Sequence, residues 1–407
     1  MYLTFAWRYF KAKKSANAIN WIAWVTVGVI AFATACQILV LSVFNGFEGL
    51  VKSLYSSFYT DVKIIPQKGK TFILTSSQIQ LLKKTPGIQA VSLIAEEKAL
   101  LQNDDLQTIV YLKGVDENYR QVSGVAEKTV EGKFNTGDAN DPGLILGAGI
   151  QNAAGVNINN AAAPSIVTVI LPKKGAISAT DPLQSLSEGN IKATGVFAIQ
   201  QDFDNKYAIT NIDFVKHQMG FAQNEYSAAE IKLTDPSNLL KVQQQLSVML
   251  GSSFRVQSKY EQNTSLYNTM KLEKWAIYAV LTLILFIAAF NMISALTMLV
   301  LEKQKDISVL QSMGADNSMI LKIFLGEGLL LAAIGAITGI GMALLVCLLQ
   351  IKFHLFKLQG GSFLIDYFPV KLQPSDFILV LSTITLISFL ASWFPARKAA
   401  SQLIELR

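Results

Sequence analysis

Charge is what this chain has least of. Only 16% of its 407 residues are Asp, Glu, Lys or Arg, against about a quarter in an ordinary soluble protein. The deficit is concentrated in four runs, Trp21–Phe44, Trp275–Leu301, Gly328–Ile351 and Phe377–Ala396, which contain no charged residue at all. Cysteine is nearly absent too. Cys36 and Cys347 both fall inside those runs, which excludes a disulfide framework or a cysteine metal site outside them. His217 and His354 stand apart, each without a second ligand at metal spacing, so no metal site is expected. The pattern G-x-x-x-x-G-K-[ST] is missing, and Gly69-Lys70-Thr71 matches only its tail. G-x-S-x-G is missing as well, and the middle of the chain offers His217 alone as a base. These absences argue against an enzyme with its own catalytic centre and against a directly bound nucleotide or other cofactor. No basic stripe interleaved with aromatics is present, which argues against nucleic acid.

What is present is enough hydrocarbon for four membrane crossings. About 20 helical residues cross a core of roughly 30 Å, and each run is at least that long. The bland alternative, buried core helices, would need a far larger soluble core than 407 residues supply. The first run is too long for a cleaved signal core and no small-residue cleavage pattern follows it. Arg8, Lys11, Lys13 and Lys14 precede it, which puts the N-terminus in the cytoplasm by the positive-inside rule; four crossings return Arg397, Lys398 and Arg407 there. The expected division is a cytoplasmic amphipathic helix over 1–19, crossings at 20–45, 272–301, 319–351 and 375–396, an outer domain over 46–271, a cytoplasmic segment over 302–318, an outer loop over 352–374 and a tail over 397–407. The outer loop resists the rule: Lys352, Lys357 and Lys371 face only Asp366. The net charge of +6 points to anionic lipid headgroups.

The middle reads as an α+β domain. Strands are expected at Asp61–Ile65, Gln89–Leu93, Thr108–Lys113, Ile166–Leu171, Ile191–Phe197 and Glu230–Leu233, and helices at Ser76–Lys84, Asn211–Met219 and Pro236–Leu250. The stretch Pro172–Asn190 reads as a long loop between two strands, of a length that is often functional or disordered. From Lys259 no Pro or Gly occurs before Gly314, so a single rod-like helix is expected there. Gly335, Gly339 and Gly341 read as close helix packing.

One cytoplasmic stretch is distinctive: Glu302-Lys303-Gln304-Lys305-Asp306-Ile307-Ser308-Val309-Leu310-Gln311-Ser312-Met313-Gly314-Ala315. Mixed charge leads, Ile307, Leu310 and Met313 follow at spacing three, and Gly314 is placed to stop the helix. By composition it is equally a solvated loop helix or a surface for a cytosolic partner.

With Leu299-Val300-Leu301 before it, this stretch resembles the signature of FtsX-like, MacB-type ABC-transporter permeases. Val40-Leu41-Ser42-Val43-Phe44-Asn45-Gly46-Phe47-Glu48, Met270-Lys271-Leu272-Glu273-Lys274, Ala288-Ala289-Phe290-Asn291-Met292-Ile293 and Phe394-Pro395-Ala396-Arg397-Lys398-Ala399-Ala400 with Glu405-Leu406-Arg407 resemble its lipoprotein-releasing (LolC/LolE) branch.

The resemblance implies a bacterial inner-membrane protein with a MacB-like periplasmic domain inserted between helices 1 and 2. It implies a second permease chain, the same or paralogous, and a cytosolic ATPase dimer that holds the ATP and Mg. It further implies lipoproteins as substrate and a periplasmic carrier to receive them. Glu302, Lys303, Lys305, Asp306, Leu310, Met313 and Gly314 would couple to the ATPase. Val40, Val43, Phe44 and Phe47, opposite Leu283, Phe286, Ile287 and Phe290, would line a lipid cavity; each of these is as readily a lipid-facing or packing residue. Pro172, Lys173 and Lys174 stand where a relative carries its carrier hook, though the residues differ. MacB-type efflux and FtsX-like regulation of cell-wall hydrolases are the alternatives. The first is disfavoured by the missing ATPase segment and the second by the large outer domain. A transmembrane sensor would need a cytosolic signalling domain, for which the short tail leaves no room.

Overall fold

The computed structural model describes residues 17–158, 165–175, 185–358 and 366–401. Most of the expected amphipathic helix at 1–19 and the far end of the tail lie outside them. The chain falls into two compact units, Val51–Tyr267 and the remainder.

Four long helices carry the apolar runs: span 1 (Asn17–Phe58), span 2 (Thr264–Glu302), span 3 (Asn317–Phe353) and span 4 (Pro374–Ala400). Each is long and apolar enough to cross a membrane. Their buried faces meet in one cluster that includes Ile38 and Leu41 of span 1, Ala288 and Met292 of span 2, Ala336 and Ala343 of span 3, and Val380 and Ile384 of span 4. Small residues set the approach in span 3. A Cβ on Gly339 would lie 2.4 Å from the Ala31 carbonyl oxygen, and one on Gly335 would lie 2.8 Å from Ile30. Gly341 has open space around it, so the expected packing role holds for two of the three glycines.

The expected rod from Lys259 is three helices. A short turn, Lys259–Gln262, ends at Asn263, and span 2 starts at Thr264. Asn263 leaves helical geometry and its Oδ1 accepts from the Leu266 N–H, an Asn side chain outcompeting helix continuation. A second interruption at Lys303 separates span 2 from the helix Gln304–Ser312.

The other unit is built on a ten-stranded mixed sheet. Its strands are β1 (Val62–Pro66), β3 (Ile88–Asn103), β4 (Leu106–Val115), β5 (Thr129–Gly132), β6 (Gly143–Gly147), β7 (Ile166–Pro172), β8 (Leu186–Phe197), β9 (Tyr207–Asn211), β11 (Ala228–Leu233) and β12 (Phe254–Ser258). The order is β12-β1-β11-β3-β4-β9-β6-β8-β5, and β7 lies against β3 and β8. The pair β2 (Phe72–Ile73) and β10 (Glu225–Tyr226) stands apart. Period-two alternation builds a core on each face. Val91, Ala95 and Ala99 of β3, Leu144 and Leu146 of β6, and Ala229 and Ile231 of β11 join one cluster, covered by the helices Ser76–Lys84, Ile212–Met219 and Leu239–Leu250. Their alternate neighbours Ile94, Ile145 and Ala228 join the other, with Tyr55, Phe58, Tyr119 and Phe203.

The six expected strands are all present, but β3 and β8 run much longer. Residues 185–190, expected as loop, belong largely to β8. β2, β5, β6, β9, β10 and β12 were not expected. Of these, β6, β9 and β10 are buried or nearly so, and strands this short carry little alternation to read.

Candidate functional site

The most concentrated polar chemistry in the membrane unit lies where spans 1, 2 and 4 meet. Lys274 Nζ donates to Asp376 Oδ1 at 3.0 Å, to Asn45 Oδ1 at 2.9 Å and to Gln373 Oε1 at 3.4 Å. Asn45 Nδ2 donates to the other Asp376 oxygen at 2.5 Å. Asn45 and Asp376 are buried. Next to Asn45, Gly46 lets the outer loop close in, since a Cβ there would sit 2.1 Å from the Pro369 carbonyl oxygen. The Lys371 N–H then donates to the Ser42 carbonyl at 2.9 Å. Down the same face of span 2, Tyr278 bonds Thr383 of span 4, and Thr282 accepts from Gln37 of span 1 at 3.5 Å. Residues 274, 278 and 282 are one helical turn apart, so span 2 offers a polar ladder to both neighbours. In the sequence Asn45 and Lys274 stand out only as parts of the family motifs, and Asp376 does not stand out at all. The readable signal was a lysine and an aspartate each just ahead of a charge-free run.

The cavity candidates separate. Val43 lines a cavity of about 370 Å³ between span 1, span 3 and the outer loop. Phe47 meets Phe368 of that loop edge to face, at 5.9 Å between ring centres. Phe44 is half-buried and Val40 is exposed. On span 2, Leu283, Phe286, Ile287 and Phe290 are all exposed and line no part of that cavity.

The cytoplasmic stretch is helical over Gln304–Ser312. Its expected apolar row divides. Ile307 is buried against Leu299, Ile320, Phe324 and Ala399, tying the helix to the span ends. Leu310 is half-buried, while Val309 and Met313 face outward, with Met313 80% exposed. Lys303 pairs with Asp306 at 3.0 Å, Lys305 is exposed and Glu302 is half-buried. Gly314 takes φ +93° and lets the Ala315 N–H return to the Leu310 carbonyl, closing the helix as its sequence position suggests.

At the root of the loop after β7, Lys174 is committed. Its Nζ pairs with buried Glu225 at 2.6 Å, while Thr71 Oγ1 donates to the same oxygen at 2.5 Å. Lys173 is exposed and Pro172 ends the strand. The rest of the expected hook, residues 176–184, lies outside the described residues.

Residues 23–248 match the family model of the MacB-like periplasmic core domain, and residues 278–404 match that of the FtsX-like permease C-terminal. The lipoprotein-releasing system transmembrane protein LolC of Neisseria meningitidis serogroup B is 27% identical, covering 97% of this chain and 95% of its own. The corresponding LolE of Haemophilus influenzae is 25% identical, covering 97% and 96%. The crystal structure of the periplasmic region of MacB from Actinobacillus actinomycetemcomitans is 14% identical, covers 54% of this chain and 98% of its own, and gives a TM-score of 0.36. The chain therefore belongs to the family of FtsX-like permeases that carry a MacB-like periplasmic core domain.

Proposed function

We propose that this protein is the permease subunit of an ABC transporter that removes lipoproteins from the inner membrane and passes them to a periplasmic carrier. The observation that carries the reading is similarity to LolC and LolE proteins over almost the whole of both chains, through span, outer domain and C-terminal spans in one order. Depletion of the protein should strand lipoproteins in the inner membrane; normal sorting after depletion would reject the reading.

In this reading ATP is hydrolysed by a separate ATPase dimer, and the chain pairs with a second permease. The helix Gln304–Ser312 docks on the ATPase through the outward face that holds Lys305, Val309 and Met313, while Ile307 passes the push to the span ends. The outer domain is inserted in the sequence between the first two spans, and the reading has it driven mechanically through them. Acyl chains gain nothing by leaving lipid for an equally apolar groove, but exposing each CH₂ to water would cost about 0.8 kcal/mol. A groove continuous with the bilayer avoids that cost. The exposed row Leu283, Phe286, Ile287 and Phe290, with Val40 of span 1, supplies apolar surface for one, and Lys173 is the exposed cation at the base of the carrier loop. Replacing Asp306 and Glu302 with Lys should leave the chain inserted while uncoupling ATP hydrolysis from release. Unchanged coupling would remove the docking assignment.

A further inference from the structure

The outer loop breaks the charge rule that the termini obey, and each of its three lysines follows closely in the chain a residue that lines one cavity. The cavity beside Val43 is walled also by Val346 and Cys347 of span 3 and by Phe356, Phe368 and Val370 of the loop. Its one strongly polar lining residue, Gln350, is fully engaged. Gln350 Oε1 accepts from the Phe356 N–H at 2.8 Å, and Nε2 donates to the carbonyls of Phe356 at 3.0 Å and Phe368 at 3.1 Å. A ligand with polar atoms would lose its hydration there without replacement, so the cavity selects hydrocarbon. Each loop lysine follows a lining residue closely: Lys352 comes two after Gln350, Lys357 directly after Phe356, and Lys371 directly after Val370. All three are exposed, and among the described residues none is in an ion pair. Lys352 Nζ lies 5.5 Å over the Phe353 ring, and the carboxylate of Asp376 is held by Lys274.

We propose that this cavity holds one acyl chain of an anionic phospholipid of the outer leaflet, with the phosphate on Lys352, Lys357 and Lys371. The proposal needs the spans to lie in a bilayer and is independent of lipoprotein release. Hydrocarbon gains little by moving from bilayer to cavity, so selectivity comes from the headgroup, at roughly fivefold per lysine. The surrounding phospholipid outnumbers any transported lipid, which makes it the occupant.

The test uses the full-length chain in phosphatidylcholine nanodiscs containing phosphatidylglycerol with a diazirine midway along one chain. Adducts should concentrate on peptides holding Val43, Val346 and Phe368, and exceed those of the matching photoactivatable phosphatidylcholine by about tenfold or more. Changing all three lysines to Gln should bring the two lipids level. Val346→Trp, or Val43→Phe should the first variant fold poorly, should remove the cavity adducts and leave labelling of Leu283 and Phe286 on span 2 as a folded-state control. Three results would overturn the proposal: adducts spread evenly over the exposed span faces, equal labelling by the two lipids in the wild-type chain, or displacement of phosphatidylglycerol by a triacylated lipopeptide at lower concentration.

Discussion

Each unit holds a lysine–carboxylate pair joining distant parts of the chain, and the two pairs are built differently. In the outer domain Lys113 Nζ donates to both oxygens of Glu230, at 2.8 and 3.0 Å, and both side chains are almost wholly buried. The Phe58 and Tyr119 rings face the ammonium at 4.9 Å each, and Lys63 approaches Glu230 at 3.7 Å. In the membrane unit Lys274 and Asp376 are 3.0 Å apart, yet the lysine keeps a quarter of its side chain exposed and shares its protons with two neutral amides. The first pair bridges β4 and β11 across β3 within one sheet. The second ties three helices together at a point reached from outside. A sealed pair fixes a fold, whereas a pair open on one side can be broken and remade at modest cost.

The contrast is sharpest if Glu230 is replaced by Gln. Burial lowers the pKa of Lys113, but the Glu230 carboxylate outweighs burial and holds it above the ordinary lysine value, so the amine stays charged. Without its partner that charge is stranded, and the outer domain should lose about 3–5 kcal/mol. Proteolysis of residues 51–267 in the full-length chain should accelerate accordingly. Replacing both residues together, Lys113→Met with Glu230→Leu, should recover most of the loss. A neutral single variant would show that the pair is not the keystone its burial suggests.

Asp376→Asn should cost less, about 1–3 kcal/mol, because Lys274 can turn to water and keep Asn45 and Gln373. Thermal unfolding in detergent measures it, and Asn45→Ala in the same background should be non-additive, since the residues share one network. A loss at Asp376 as large as at Glu230 would erase the distinction between the two sites.

These two clusters also mark how far the sequence could be read. The spans were legible because hydrocarbon tolerates no charge and each run advertises itself by what it lacks. The helices Ser76–Lys84 and Ile212–Met219 were legible because Thr75 with Gln78, and Asn211 with Gly220, write their ends locally. Lys113 and Glu230 were not, for they sit 117 positions apart on strands that look like any alternating pair. Asp376, 102 positions from Lys274, reads locally as an ordinary acidic residue of a first helical turn. Long-range pairing leaves no periodic trace. The stretch Glu302–Ala315 was half legible: the helix and the Gly314 stop follow from local rules, but which apolar residue turns inward depends on the ends of spans 2, 3 and 4.

A similar contrast runs along span 3, between glycines rather than charges. Gly339→Ala would drive a methyl into Ala31 and Thr34 of span 1 and should cost about 1–3 kcal/mol. Gly341→Ala meets open space and should stabilise the helix by up to about 1 kcal/mol. Opposite shifts in detergent melting temperature are expected. Equal losses would mean that both faces of span 3 are packed.

The smallest effect belongs to the outer domain's open pair, Lys174 with Glu225. Burial raises the Glu225 pKa, but Lys174, Thr71 and the Ala222 N–H together outweigh burial and leave it below the ordinary glutamate value. A carboxyl depressed in the folded state contributes stability above its unfolded value, near pH 4.3, and loses it as pH falls through the lower folded value. Lys174→Ala removes the largest opposing contact, so the carboxyl should protonate at higher pH and the acid-unfolding midpoint should rise. The accompanying loss at neutral pH should stay within about 1 kcal/mol, because the lysine is half exposed and water replaces part of the pair. Lys173→Ala, one residue earlier and exposed, should leave the midpoint where it was, while an acid titration in which both variants move equally would show that the loop root, rather than the Glu225 contact, sets the response.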